Sequence, residues 1–177
     1  DQAKRWIISG MLILCILGSL MHFVYQWSGK LTLVGIFAPT NESVWEHLKL
    51  TFWPMLIWWL AGYLLYKKMN EISAAQWFVS GAVAQMICPV VIVSFFYTYT
   101  GALGIESIIL DIFSLFLGVA AGQGLALHFY QKAKINHYGL YVALLVLILL
   151  ATAFTVFTFS PLHIPIFKDS STGRYGV

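Results

Sequence analysis

Five long, mostly apolar stretches dominate the chain, and short polar links separate them. The stretches cover residues 6–27, 42–66, 75–99, 105–130 and 138–159. A helix that crosses a bilayer needs about 20 mostly apolar residues, and each stretch reaches that length. Short links predict that neighbouring helices are antiparallel. The pattern therefore predicts an all-α integral membrane protein, a compact bundle of five transmembrane helices that forms a single membrane domain over residues 1–177.

The composition supports this class. Hydrophobic residues make up 60% of the chain and charged residues 10%, whereas a soluble domain carries about 25% charged residues. Too little polar surface remains to cover a water-soluble globule. Basic residues form no run that would suit a nucleic acid, so we expect no nucleic-acid partner. Cys15 and Cys88 lie inside apolar stretches and are predicted to be buried hydrophobic residues.

The positions of Lys and Arg predict a direction of insertion. A cytoplasmic N-terminus places six of them on the inner side, namely Lys4, Arg5, Lys67, Lys68, Lys132 and Lys134. The outer side then holds four, namely Lys30, Lys49, Lys168 and Arg174. Because cytoplasmic loops carry the excess of positive charge, we expect the N-terminus inside and the C-terminus outside. We expect the first helix to be a retained anchor, since no small-residue cleavage pattern follows it.

Most of the acid–base groups are concentrated after the first helix. The segment Phe37–Leu50 reads FAPTNESVWEHLKL and holds Glu42, Glu46 and His47 within six positions. Asn41 and the preceding threonine are good N-caps, and a carboxylate in the first turn of a helix is favoured by the helix dipole. In the predicted topology, this cluster lies at the outer surface of the bundle.

Two polar groups in other predicted helices lie at a similar depth in the bilayer to this cluster. His22 is near the outer end of the first helix, and Asp111 is roughly 10 Å deep in the fourth. An intramembrane charge costs roughly a few kcal/mol and normally faces the bundle interior with a partner. We therefore expect one polar pocket in the outer half of the bundle, lined by His22, Glu42, Glu46, His47 and Asp111.

The C-terminal segment, residues 160–177, predicts a strap across the outer surface. Pro161 and Pro165 end the last helix, and KDSSTGRYG is rich in turn formers. His163 and Asp169 would then cover the pocket. A disordered terminus is the alternative.

Three segments carry a resemblance to a known family. They are HFVYQWSG (His22–Gly29), APTNESVWEHLKL (Ala38–Leu50) and HIPIFKDSSTGRYGV (His163–Val177). The chain resembles a family of small prokaryotic multi-pass membrane proteins of unknown function. The resemblance implies a prokaryotic cell membrane location and a core motif that comprises Asn41, Glu42, Trp45, Glu46, His47 and Lys49. It implies no activity.

Three functions stay open at this point. In the first, His22, His47 and Asp111 bind a divalent metal such as zinc, and Glu42 and Glu46 act as catalytic acid–base groups on a metal-bound water. The ligand would be a lipid or a small molecule, and the binding residues Asn41, Lys49 and Asp169 complete this site. In the second, the carboxylates carry a cation or protons through a transporter or channel subunit. In the third, the polar groups fix helix register in a structural subunit that binds lipid, a partner or further copies of itself.

Overall fold

The computed structural model describes residues 2–67 and 72–176, and these residues form an all-helical bundle. The elements are α1 (Gln2–Trp27), α2 (Thr32–Gly35), α3 (Val44–Tyr66), α4 (Ala74–Leu103), α5 (Ile108–Lys132), α6 (His137–Phe159) and a short 3₁₀ helix (Pro165–Phe167). Within the described residues, every α-helix except α2 is long and apolar enough to cross a membrane. The all-helical class and the five long apolar helices are thus confirmed, whereas the direction of insertion stays a prediction. Lys68, one of the predicted inner charges, lies outside the described residues.

The helix boundaries differ from the predicted ones where side chains cap the ends. α3 begins at Val44 because the Ser43 hydroxyl accepts a hydrogen bond from the Glu46 backbone N–H at 3.3 Å. The N-cap predicted at Thr40 or Asn41 is therefore wrong. The Asn41 amide oxygen instead accepts from the Ser43 N–H at 3.0 Å, which holds the turn that leads into the cap.

Small residues allow the helices to approach closely. α4 and α5 form the most extensive helix contact, and α1 packs on both α3 and α5. A Cβ added to Gly122 would lie 2.8 Å from the Ala84 carbonyl oxygen, and one added to Gly118 would lie 2.9 Å from that of Cys88. At Gly18, an added Cβ would lie 2.7 Å from the Leu50 carbonyl oxygen. Backbones come this close only where one partner is glycine, a common feature of helices that pack in lipid.

Large apolar side chains cover the sides of the bundle, parallel to the helix axes. α6 packs mainly against α4, and most of its other faces are exposed. Ile148 is 62% exposed and Leu149 58%. Such a continuous apolar exterior is far larger than the patches found on soluble monomers. It suits a helix that contacts lipid.

One end of the bundle carries the acid–base groups of the segment Phe37–Leu50. We call it the motif end: it comprises the C-terminus of α1, residues 28–43, the N-terminus of α3 and residues 160–176. Here the Asn41 side chain donates to the Gly176 carbonyl oxygen at 3.0 Å. Phe167 is buried against Trp45, with ring centroids 4.9 Å apart. The C-terminal segment is thus ordered along the motif end.

Candidate functional site

Three potential ligand atoms converge at the motif end. His47 Nε2 lies 3.2 Å from His22 Nε2 and 3.3 Å from Glu42 Oε2. His22 Nε2 lies 3.8 Å from the same Glu42 oxygen. In the described parts of the chain, this is the one group of three His, Cys, Asp or Glu residues whose ligand atoms gather closely enough to hold a metal ion.

Each residue reaches the cluster from a different element. His22 lies five residues before the end of α1, and His47 lies in the first turn of α3. Glu42 belongs to the loop between them, and its backbone carbonyl oxygen accepts from the Ser170 hydroxyl at 3.2 Å. The C-terminal segment therefore helps to hold the loop that presents Glu42.

A backbone contact fixes the orientation of His47. Its Nδ1 lies 2.9 Å from the Ser43 carbonyl oxygen. A carbonyl oxygen only accepts, so Nδ1 carries a proton in this contact. In a neutral imidazole, Nε2 then presents its lone pair to the cluster.

The three atoms of the cluster can approach this closely only with a hydrogen-bonding proton or a cation between them. A lone pair on His47 Nε2, a second imidazole nitrogen and a carboxylate oxygen would repel one another unless a proton or a cation lies among them. When their Nε2 atoms carry protons, hydrogen bonds donated by His22 and His47 hold the pKa of the Glu42 carboxyl well below its usual range. Glu42 is therefore an anion at neutral pH. The three side chains are 32–49% exposed, so one side of the cluster opens to ligand or solvent.

Glu46 belongs to a separate, buried network. Its Oε2 accepts from Lys49 Nζ at 2.8 Å, from the Thr40 N–H at 2.8 Å and from the Thr40 hydroxyl at 3.0 Å. Its Oε1 accepts from the Thr158 hydroxyl at 3.1 Å. The structure therefore separates Glu46 and Lys49 from the cluster with which they were predicted to act. Since both carboxylate oxygens are already bonded inside the protein, Glu46 is placed to hold structure.

Asp111 also pairs away from the two histidines. Its Oδ1 accepts from the Tyr99 hydroxyl at 2.6 Å, and the same hydroxyl accepts from the Ser107 N–H at 3.2 Å. Asp111 is near enough to act electrostatically on His47. Its carboxylate is nevertheless not one of the three converging groups, and Glu42 instead lies beside the two histidines with which Asp111 was predicted to act.

The remaining predicted residues shape the end of the C-terminal segment. The Asp169 carboxylate accepts from the Ser171 N–H and hydroxyl and from the Thr172 hydroxyl at 2.7–2.8 Å. Its backbone N–H donates to the Arg174 carbonyl oxygen, which closes a tight turn. Asp169 thus caps this turn, and the His163 ring packs against Tyr175 with centroids 4.7 Å apart.

Sequence reasoning missed several partners. Ser43, Tyr99 and Thr158 each bond to a predicted site residue, yet none was a predicted member of the pocket. Ser43 could have been found, because it lies four residues before His47 on the same helical face. Thr158 belongs to a threonine stripe that recurs every three residues in the outer half of the last predicted helix, but its pairing with Glu46 was not predicted; for Tyr99 the single-sequence spacing carries no signal.

The bundle and its cluster define a class of protein: the described part of the chain is all-helical, with five helices that could span a membrane and a polar cluster at one end. Over residues 1–177 the chain matches the model of a family of unknown function, DUF6512, and it belongs to that family. No curated protein matches the chain, and no solved structure matches it.

Proposed function

We propose that this multi-pass membrane protein binds a divalent metal ion at the His22–Glu42–His47 cluster and uses it for hydrolytic chemistry. The convergence of the three ligand atoms is the observation that carries the proposal. Two imidazoles and a carboxylate are suitable ligands for zinc and related metals.

The size of the cluster fits such an ion. Atoms separated by 3.2, 3.3 and 3.8 Å lie on a circle about 2.0 Å in radius, and zinc binds nitrogen and oxygen at about 2.0–2.2 Å. An ion near the centre would therefore lie within coordination distance of all three ligand atoms. It would also neutralise the repulsion among them.

The His47–Ser43 contact supports the proposal further. Histidines that bind metals usually donate their other ring N–H to a carbonyl or carboxylate, which fixes the ring and the free nitrogen. His47 makes this contact through Nδ1. A side chain held in this way is preorganised for a ligand at Nε2.

The open side of the cluster favours catalysis over a purely structural metal. Three protein ligands and a partly exposed site leave room for a water molecule, whose pKa a bound zinc lowers to about 7. An ion held by His22, Glu42 and His47 would supply an activated water for hydrolysis of a lipid headgroup or a small molecule at the membrane surface, in which one product of the cleaved bond takes the hydroxyl group and the other takes the proton. Glu46 would stabilise the site from the interior and would not act as the base.

Metal analysis of the purified protein tests the proposal. We expect near-stoichiometric zinc in the wild type, and a cobalt-substituted form with the visible absorption of a four-coordinate site. Glu42→Ala and His47→Ala should lose both the metal and the absorption. His128→Ala is the matched control, because His128 is exposed and lies outside the cluster. A folded wild type that takes up neither metal would refute the proposal.

A further inference from the structure

The loop between α1 and α3 contains an unusually apolar segment. Residues 31–39 read LTLVGIFAP and contain no charge. Nine residues are too few to cross a bilayer, and short apolar segments of this kind lie in a core, in an interface or in a re-entrant loop. Leu31 is 60% exposed, Leu33 76% and Phe37 46%, so the protein does not bury them itself.

The chain turns back sharply when it leaves α1. Gly29 and Lys30 both adopt positive φ angles, of 70° and 62°. Their N–H groups donate to the carbonyl oxygens of Gln26 and Tyr25 at 3.1 and 3.0 Å. This turn ends the helix and directs the following residues back beside it, and α2 indeed contacts α1.

Side chains of α3 reach the backbone of this loop. Lys49 Nζ donates to the Gly35 carbonyl oxygen at 2.7 Å, and Trp53 Nε1 donates to the Ile36 carbonyl oxygen at 2.9 Å. The Glu46 carboxylate accepts from the Thr40 N–H at 2.8 Å. Three polar side chains therefore satisfy backbone groups that no helix or sheet satisfies.

The same contacts give the depth of the loop. Trp53 lies nine residues after Val44, the first residue of α3, or about 14 Å along the axis. Helical side chains point toward the N-terminus of their helix, and we allow the Trp53 side chain to reach back by about one helical turn. The Ile36 carbonyl oxygen that it contacts then still lies about 8 Å from Val44 along the α3 axis, toward the middle of the helix. α3 has 23 residues, so it is about 34 Å long and barely exceeds a hydrocarbon core of about 30 Å.

We propose that residues 31–40 form a re-entrant hairpin that enters the hydrocarbon region of the bilayer. Leu31, Leu33 and Phe37 contact lipid acyl chains. Irregular backbone is tolerated at this depth only where protein groups replace water as hydrogen-bond partners. Lys49, Trp53 and Glu46 are those groups, which explains why a bundle this apolar keeps a buried ion pair next to the loop. This inference is independent of the metal proposal.

Spin labels in the full chain, reconstituted in nanodiscs, test the depth directly. A nitroxide is placed at Leu33, and its collisions with oxygen and with a water-soluble nickel complex are compared. Leu149 on α6 serves as the lipid-facing control, and Thr172 in the C-terminal turn as the polar control; all three positions are exposed. A second label, at Phe37, provides an independent reading if the first variant folds poorly.

We expect the labels at Leu33 and Phe37 to have the same accessibilities as the label at Leu149. Their collisions with oxygen should be frequent, and their collisions with the nickel complex should be several-fold rarer than those of the label at Thr172. Access to nickel at the level of Thr172 would place the loop in water and overturn the proposal. Low access to both reagents would place the loop against protein and overturn it equally.

Discussion

Replacing Lys49 by methionine removes one charge of a buried ion pair and keeps most of the side-chain volume. Lys49 is fully buried, and Glu46 is 2% exposed. Without the ammonium group, Glu46 keeps its hydrogen bonds from Thr40 and Thr158 but loses its countercharge. The Gly35 carbonyl oxygen also loses its donor. Removing one partner of a buried pair costs about 3–5 kcal/mol, and we expect a loss of that size in the free energy of unfolding.

A double-mutant cycle separates the ion pair from the packing around it. Glu46→Gln alone leaves the Lys49 ammonium buried without a countercharge, with only the neutral oxygens of the Gly35 carbonyl and the new amide as acceptors, so it should also cost several kcal/mol, roughly the same amount. The double variant Glu46→Gln/Lys49→Met buries no charge, and its glutamine still accepts from the Thr40 N–H. It should therefore be more stable than the sum of the single effects predicts, with a coupling energy of about 2 kcal/mol.

Unfolding in a graded mixture of mild detergent and SDS measures these differences. In a thermal scan, Lys49→Met should lower the Tm by on the order of 10 °C, because 1 kcal/mol corresponds to about 2–4 °C at this chain length. Lys134→Met is the matched control: Lys134 is exposed, and its replacement should change stability by less than about 0.5 kcal/mol. If Lys49→Met behaved like this control, or if the two single effects added, the ion pair would not hold the motif end together.

Two further predictions concern other parts of the bundle. Gly10→Ala should destabilise the protein by about 1–3 kcal/mol in the same unfolding assay, because the added Cβ would meet Gln123 Nε2 and lie 2.7 Å from Trp58 Nε1; equal stability to wild type would show that the indole and the amide move aside freely. Burial would raise the pKa of Asp169, but hydrogen bonds from the neighbouring hydroxyls and N–H groups lower it below its ordinary value. Its contribution to the C-terminal turn is therefore present above about pH 4 and lost as the pH falls through the lower folded value. The protection of backbone amides against hydrogen exchange in residues 163–176, relative to the intrinsic rate at each pH, should fall in the wild type below that pH. In Asp169→Asn it should already be lower at pH 7, and identical protection in both proteins at pH 7 would contradict this role.

The long helices could be predicted from the sequence because the thickness of a bilayer sets a length that hydropathy reveals directly. Their ends could not be predicted as well. Ser43 and Asn41 are both good N-caps by residue type, and the choice of Ser43 depends on the turn that precedes it. α2 was missed because four residues are too few to show a period.

The site could be predicted in part. His22, Glu42 and His47 were placed at one height, and the structure brings them together. The spacing also showed that Glu46 and His47 point about 100° apart on a helix. It did not show how α3 rotates about its axis, and this rotation decides that His47 faces α1 while Glu46 faces the interior. The pairing of Asp111 with Tyr99 depends in the same way on the rotation of α4 against α5.

The first turns of α3 thus present two sets of contacts on two faces. Glu46, Lys49 and Trp53 recur at three and four residues and share the face that holds the loop. His47 lies on the face that meets α1, where its Nδ1 donates to the Ser43 carbonyl oxygen and its Nε2 lies 3.2 Å from His22 Nε2. Since the loop leads directly into Glu42, Lys49→Met should weaken metal binding and stability together, because it loosens the loop that presents this ligand. His47→Ala should lose the metal while the loop stays in place, so measuring stability and metal content on the same samples distinguishes a ligand from a residue that positions one.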